Sequence, residues 1–174
     1  LLQTAGSGSL RIFGDGNNVI SFCHVDNYCH GLMLGYEALY EGSPALGKFY
    51  IVTDGEGQAF WRVLDEAVVA MGFVSLWNKL HLPTWLMMFV AYATLYAGNF
   101  YSFLTGTPSH VVNYSLKLNP FAVKMLVINR FFNIQAARRD LGYEPVISFE
   151  EGWGETIKWF QMNWLPEYRR ANRN

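Results

Sequence analysis

The spacing of apolar residues changes repeatedly along this chain, from every second position to nearly every fourth and back. Val19 to Val25 (VISFCHV) is β-branched and aromatic, which predicts a buried strand. At Asp26 the period lengthens, and this residue stands where a helix N-cap is expected, its carboxylate able to accept from unpaired backbone N–H groups. The helix that follows sets Tyr28, Leu32, Gly35 and Leu39 on one stripe, while Gly31 and Gly35 would let its backbone lie close on a sheet. After a turn at GSPALG, Lys48 to Thr53 (KFYIVT) predicts a second buried strand. Phe60, Leu64, Ala67, Val68 and Met71 recur at helical spacing and stop at Gly72, a C-terminal glycine. Near the end, Asn133 can cap a short helix that stops at Gly142. Ser148 and Glu151 form a capping box for a last helix carrying Phe149, Trp153, Ile157, Phe160 and Trp164 on one face. Strand and helix signals in alternation, with no repeat or linker between them, predict an α/β layer fold.

Between these elements, Leu80 to Leu116 contains no Asp, Glu, Lys or Arg. Its segment Leu82 to Leu104 is long enough for a helix to cross a hydrocarbon layer of roughly 30 Å. Its Trp and Tyr residues are types favoured at a membrane interface. Gly98, Asn99 and the tyrosines are spread through the run, so its middle is only moderately apolar. Three readings follow: a helix in the membrane plane that doubles as a pocket entrance, a full span, and a buried helix. The first is preferred.

Composition narrows the rest. At 174 residues, 51% hydrophobic and 17% aromatic, the chain can bury one sizeable core. A formal net charge of -1 gives no electrostatic case for nucleic acid as a partner. The chain opens on Leu1 and its first residues lack a leader pattern, so it reads as a piece of a longer protein. Cys23, His24, Cys29 and His30 crowd into nine positions and raise the question of a metal. Neighbours on a strand point to opposite faces, however, so packing roles are favoured over ligation. The turns GSGS and GDGN lack the spacing of a dinucleotide fingerprint. No nucleophile elbow or zinc-protease motif is present, and Glu150, Glu151 and Glu155 suit a helix start and a solvated face.

Three ordered blocks carry a resemblance. They are GDGNNVISFCHVDNYCHGLMLGYEAL, GKFYIVTDGEGQAFWRVLDEAVVAMGF and FFNIQAARRDLGYEPVISFEEGWGETIKWF. Together they resemble the C-terminal half of the 3β-hydroxysteroid dehydrogenase family, extended short-chain dehydrogenases that include the sterol-4α-carboxylate decarboxylating type. The resemblance implies an α/β fold in which this chain supplies the edge of a Rossmann-like sheet and a mostly helical substrate-binding region, incomplete at its N-terminus. It implies NAD or NADP as cofactor, bound mainly by the preceding half, and a sterol or steroid substrate. With the Leu82 to Leu104 run and a substrate that partitions into bilayers, association with the endoplasmic reticulum or another intracellular membrane is expected. The family's Tyr-x-x-x-Lys pair does not occur in this sequence; Tyr114 and Lys117 are one residue too close. No catalytic, cofactor-binding or metal residue is therefore assigned.

Related nucleotide-sugar epimerases carry an arginine four residues before the His-Val pair, where it grips a diphosphate. Here that position is Ile20. An apolar side chain there favours a flat, nearly uncharged sterol over a nucleotide sugar. Asn18, Ile20, Phe22 and Phe131 are the expected pocket residues. Alternatives are a reductase of flavonoid-like or other small carbonyl compounds on the same scaffold, and a non-catalytic membrane- or lipid-binding module.

Overall fold

The computed structural model describes residues 1–106 and 119–172. Tyr114 and Lys117 lie outside them. The described part is mostly helical around one small antiparallel sheet. Helix α1 is Leu2–Gly6, α2 Val25–Glu37, α3 Phe60–Ala70 and α4 Thr84–Thr105. Then follow α5 Pro120–Val127, α6 Gln135–Leu141, α7 Phe149–Trp159 and α8 Leu165–Ala171. Strand β1 is Val19–Ile20 and β2 is Gln58–Ala59, with Val19 opposite Ala59 and Ile20 opposite Gln58.

The two expected buried strands are the main correction. Only Val19 and Ile20 of the first run pair as a strand. Lys48 to Thr53 forms no regular element and joins no ladder among the described residues. A strand is stable only where its backbone groups find a neighbour. The second run is held through side chains instead, by Val52 and Tyr50 packed on Ile134, Ala137 and Tyr143. Its outer side is open, and Phe49 is 87% exposed.

The first helix cap also shifts. His24, not Asp26, is the N-cap of α2: its imidazole Nδ1 accepts from the Asp26 N–H at 3.3 Å. The cause lies outside the helix, because the carboxylate of Asp54 accepts from the His24 N–H at 2.6 Å and fixes where the chain turns. Asp26 stays in the first turn, where its charge still favours the helix dipole. Of the two helix glycines, only Gly31 serves close approach. A Cβ there would sit 2.9 Å from Val52, whereas Gly35 faces open space.

Most later elements form where the periodicity predicts. Gly72 and Gly142 both take positive φ just beyond their helices. Ser148 accepts from the Glu151 N–H, and Asn133 accepts from the Gln135 N–H at 2.7 Å. The last aromatic face is half-buried as expected, but its helix is interrupted by a π-turn over Phe160–Trp164. Pro166 lies two residues further on, lacking an N–H and crowding the preceding turn; it accounts for the widened winding.

The largest core cluster joins Ile12, Trp61, Leu64, Val68 and Leu76. A second holds Met87 and Ala91 of α4 against Val123 of α5. Only one stripe of α4 is thereby buried: Met87, Ala91 and Gly98. Trp85, Phe89, Tyr92, Tyr96, Phe100 and Phe103 are exposed, which corrects the reading of α4 as a buried helix. Among the described residues no helix is long and apolar enough to cross a membrane, which also removes the full span.

The third cluster is clamped by Asp140, whose side chain is 6% exposed. Its carboxylate accepts from Arg139, from Lys48 at 3.0 Å and from the Tyr50 hydroxyl at 2.9 Å. These bonds hold its pKa well below the usual carboxylate range. A carboxyl depressed by folding stabilises above its unfolded pKa of about 4, and that contribution falls away below it. Asp140→Asn should therefore lower the melting temperature at neutral pH, and its deficit against the parent should shrink as pH falls below about 4. Melting curves of both forms across that range check this.

Candidate functional site

Residues 18 to 22 are fixed from both sides. The Phe60 N–H donates to the Asn18 carbonyl at 3.0 Å. On the other side, a short parallel bridge sets Ile20 beside Arg130, with the Ser21 N–H on the Arg130 carbonyl and the Arg130 N–H on the Val19 carbonyl. Alternation places Asn18, Ile20 and Phe22 on one face of this segment. Asn18 is buried and its Oδ1 has no partner, while Ile20 is 9% exposed.

Phe131 is not brought to that face. It packs with Val19 over Gly57, where a Cβ would sit 2.6 Å from Val19 and 2.9 Å from Phe131. The residue that does share the face of Ile20 is its bridge partner Arg130. An arginine in an otherwise apolar NRFF stretch was the available signal, but the pairing that places it is long-range.

Phe22 leads to a second feature. Its ring lies 5.2 Å from Phe149 and 6.3 Å from Trp153, between centroids. With Cys23, His24 and Asp54 these rings line an open cavity of about 300 Å³. The Trp153 indole N–H is buried there without a partner. Burial and the nearby Asp54 carboxylate push the Cys23 thiol pKa upward, so this cysteine is not activated as a nucleophile. His24 is committed to capping α2, and His30 lies against the Tyr143 ring. Among the described residues no group of three His, Cys, Asp or Glu side chains is placed to hold a metal ion.

Behind both features sits Asn27, fully buried. Its amide donates to Asp54 at 2.7 Å and to the Ile147 carbonyl at 2.8 Å, and it accepts from the Val146 and Ile147 N–H groups. Tyr143 adds a parallel tie, its hydroxyl on the Thr53 carbonyl at 2.9 Å; burial pushes its pKa up to about 12.

The glycine turns do not form a dinucleotide cradle. Gly14 and Gly16 take positive φ, and a Cβ on them would meet Thr84 at 2.8 Å and Ile12 and Trp77 at 3.0 Å. They are tight packing turns, and neither opens a helix. These turns thus offer no cradle for a nicotinamide dinucleotide.

Comparison with known proteins finds similarity to dehydrogenases and reductases. The chain is 31% identical over 168 residues to 3beta-hydroxysteroid-dehydrogenase/decarboxylase isoform 1 of Arabidopsis thaliana, covering 92% of the chain and 36% of that protein. It is 24% identical over 161 residues to the mouse sterol-4-alpha-carboxylate 3-dehydrogenase, decarboxylating, covering 92% of the chain and 42% of that protein. A 2-alkyl-3-oxoalkanoate reductase of Stenotrophomonas maltophilia is 28% identical, over 87% of the chain and 43% of its own length. No family model matches the chain, and no solved structure matches it. The resemblance to the 3β-hydroxysteroid dehydrogenases, the decarboxylating type included, thus extends over about 92% of the chain, which spans about two fifths of the length of these relatives.

Proposed function

We propose that this chain is the C-terminal, substrate-covering part of an NAD(P)-dependent 3β-hydroxysteroid or sterol dehydrogenase that oxidises a 3β-hydroxyl to a ketone. The extent of similarity to decarboxylating sterol dehydrogenases carries the reading. A nicotinamide dinucleotide held by the rest of the full-length protein would supply the two-electron oxidant, while this chain would cover and orient the substrate. Where carbon 4 bears a carboxylate, loss of carbon dioxide leaves an electron pair that the new ketone accepts as an enolate. Within this chain, Ile20 and Phe22 would supply flat apolar contact and Asn18 a polar anchor. On this reading the open edge at Lys48 to Thr53 pairs with the dinucleotide-binding half, completing the Rossmann-like sheet.

A second reading rests on the similarity to the 2-alkyl-3-oxoalkanoate reductase: reduction of a smaller carbonyl compound on the same scaffold. One experiment separates the two. The full-length protein carrying this chain, given NAD or NADP and a panel of 3β-hydroxysterols, should reduce the dinucleotide in a sterol-dependent way. Activity confined to dinucleotide-dependent reduction of 3-oxoalkanoates would favour the second reading and exclude the first.

Helix α4 supports association with a membrane, as expected of a protein handling a substrate that partitions into lipid. At 3.6 residues per turn, six of its seven exposed aromatics from Trp85 to Phe103, all but Tyr101, fall within roughly 80° of arc along roughly 27 Å, opposite the buried stripe. An in-plane helix holds Trp85, Tyr92 and Tyr96 at one depth, where their polar tips reach headgroup water. The full-length protein should stay with endoplasmic-reticulum-type membranes through high-salt washing, and replacing Phe89 and Phe100 by aspartate should release it. Full release of the parent by high-salt or carbonate washing without detergent would contradict stable insertion of α4.

A further inference from the structure

All 14 acidic residues of the chain lie outside residues 67–139, a stretch that holds Lys79, Lys117, Lys124, Arg130, Arg138 and Arg139. Residues 1–14 likewise carry Arg11 and no acid. The fold joins these two acid-free stretches. Phe13 bridges Leu82, with the Leu82 N–H on the Ile12 carbonyl at 2.9 Å and the Gly14 N–H on the Leu82 carbonyl at 2.8 Å. Just before this junction, Arg11 and Lys79 converge on one oxygen in the loop after α1. Arg11 Nη1 donates to the Gly8 carbonyl at 2.6 Å, and Lys79 Nζ donates to the same carbonyl at 3.5 Å. The two charged nitrogens therefore stand within about 6 Å of each other, a separation at which like charges repel.

Several cations of the chain go without an ion pair; what marks these two is that they meet. Among the described residues neither reaches a carboxylate, and one neutral carbonyl does not balance two charges. Arg62 brings a third cation nearby, 5.9 Å from the centre of the Trp77 ring, in the helical turn Leu76–Asn78 that leads into Lys79. The first turn of α4, which starts five residues after Lys79, holds no acidic residue, so the positive end of its dipole adds to the field. The same end of the molecule is apolar at its surface: Leu80 is 75% and Trp85 72% exposed. A soluble anion would satisfy the cations and leave Leu80 and Trp85 in water. A bilayer surface satisfies both, with phosphate at the cations and the acyl boundary at the apolar side chains.

We propose that Arg11 and Lys79 form a headgroup-phosphate site that selects anionic phospholipid and fixes the N-terminal end of α4 on the bilayer. This deepens the membrane reading of α4 and rests on it. The planar fork of Arg11 matches two oxygens of a phosphate, and the compact Lys79 ammonium adds a second charge beside it. The phosphate takes up the repulsion between the two cations. The aromatic stripe of α4 then supplies insertion into any bilayer, while the cation pair supplies the choice of lipid.

The test sediments the full-length protein with vesicles of phosphatidylcholine alone and with vesicles that also contain phosphatidylinositol. A basic residue held at an anionic surface contributes about fivefold in affinity, so the parent should prefer the phosphatidylinositol vesicles by about tenfold or more. Arg11→Gln combined with Lys79→Gln should remove most of that preference and leave binding to phosphatidylcholine within about twofold of the parent. Removing two cations from α6 and α7 instead, by Arg138→Gln with Lys158→Gln, should leave the preference within about twofold. Equal binding of the parent to both vesicles would overturn the inference and leave the reading of α4 intact. An equal loss of preference in the two double variants would also overturn it, by showing that the charge acts diffusely. So would a loss on both kinds of vesicle by the Arg11 and Lys79 variant with a lower melting temperature, which would reduce the pair to a brace for the loop after α1. If the parent binds neither vesicle, the membrane reading of α4 itself fails, and the inference with it.

Discussion

The buried amide of Asn27 is the interaction on which the rest of the described structure depends. It ties three distant segments at once: the start of α2, the turn after Thr53 through Asp54, and the chain entering α7 at Val146 and Ile147. All four of its hydrogen-bonding sites are used, and none is open to water. Its removal would strand several buried partners, each costing about 1–3 kcal/mol, so the three segments would lose their mutual placement together. Asp54 passes the constraint on through the His24 N–H, which sets where β1 ends and α2 begins. The face carrying Ile20 and Phe22 is positioned by this clamp on one side and by the Arg130 bridge on the other.

This arrangement accounts for a chain that looks half strand in sequence and mostly helix in structure. Its apolar runs have the composition of buried strands, yet backbone pairing is available only to Val19 and Ile20. Side-chain packing on Tyr143 and Ile134 holds Lys48 to Thr53 but leaves its outer side, Phe49 above all, uncovered. Such an edge is ready to pair with a further strand, which agrees with relatives more than twice as long as this chain. The open side of Lys48 to Thr53, the aromatic stripe of α4 and the face of Ile20 are three surfaces of different chemistry. They suit a protein interior, a lipid interface and a ligand respectively.

Features governed by neighbours in sequence were legible from the sequence: the glycines ending α3 and α6, the Ser148 cap, the Asn133 bond and the aromatic face of the last helix. Those governed by distant partners were not. Asp26 fits an N-cap by type, but the decision belongs to Asp54, twenty-eight residues away in sequence. The stripe Tyr28, Leu32 and Leu39 has helical spacing, yet it is exposed because Asn27 and Gly31, about 100° round the helix, turn a different side of α2 inward. Asn18, Ile20 and Phe22 share a face by simple alternation, so their common side was readable. That Arg130 and not Phe131 lies on the side of Ile20 follows from the parity of a bridge between residues 20 and 130, which no local pattern reports.

The central claim is that the Ile20 face is where a sterol binds. Photolabelling addresses it directly: the full-length protein is irradiated with a 3β-hydroxysterol carrying a diazirine on its ring system, and the adducts are mapped by peptide mass spectrometry. Labelling should fall on residues 18–22 and on the peptide containing Arg130, and excess unlabelled sterol should suppress it. Competable labelling confined to the exposed groove of α2 around Tyr28, Leu32 and Tyr36, with none at residues 18–22, would contradict the account.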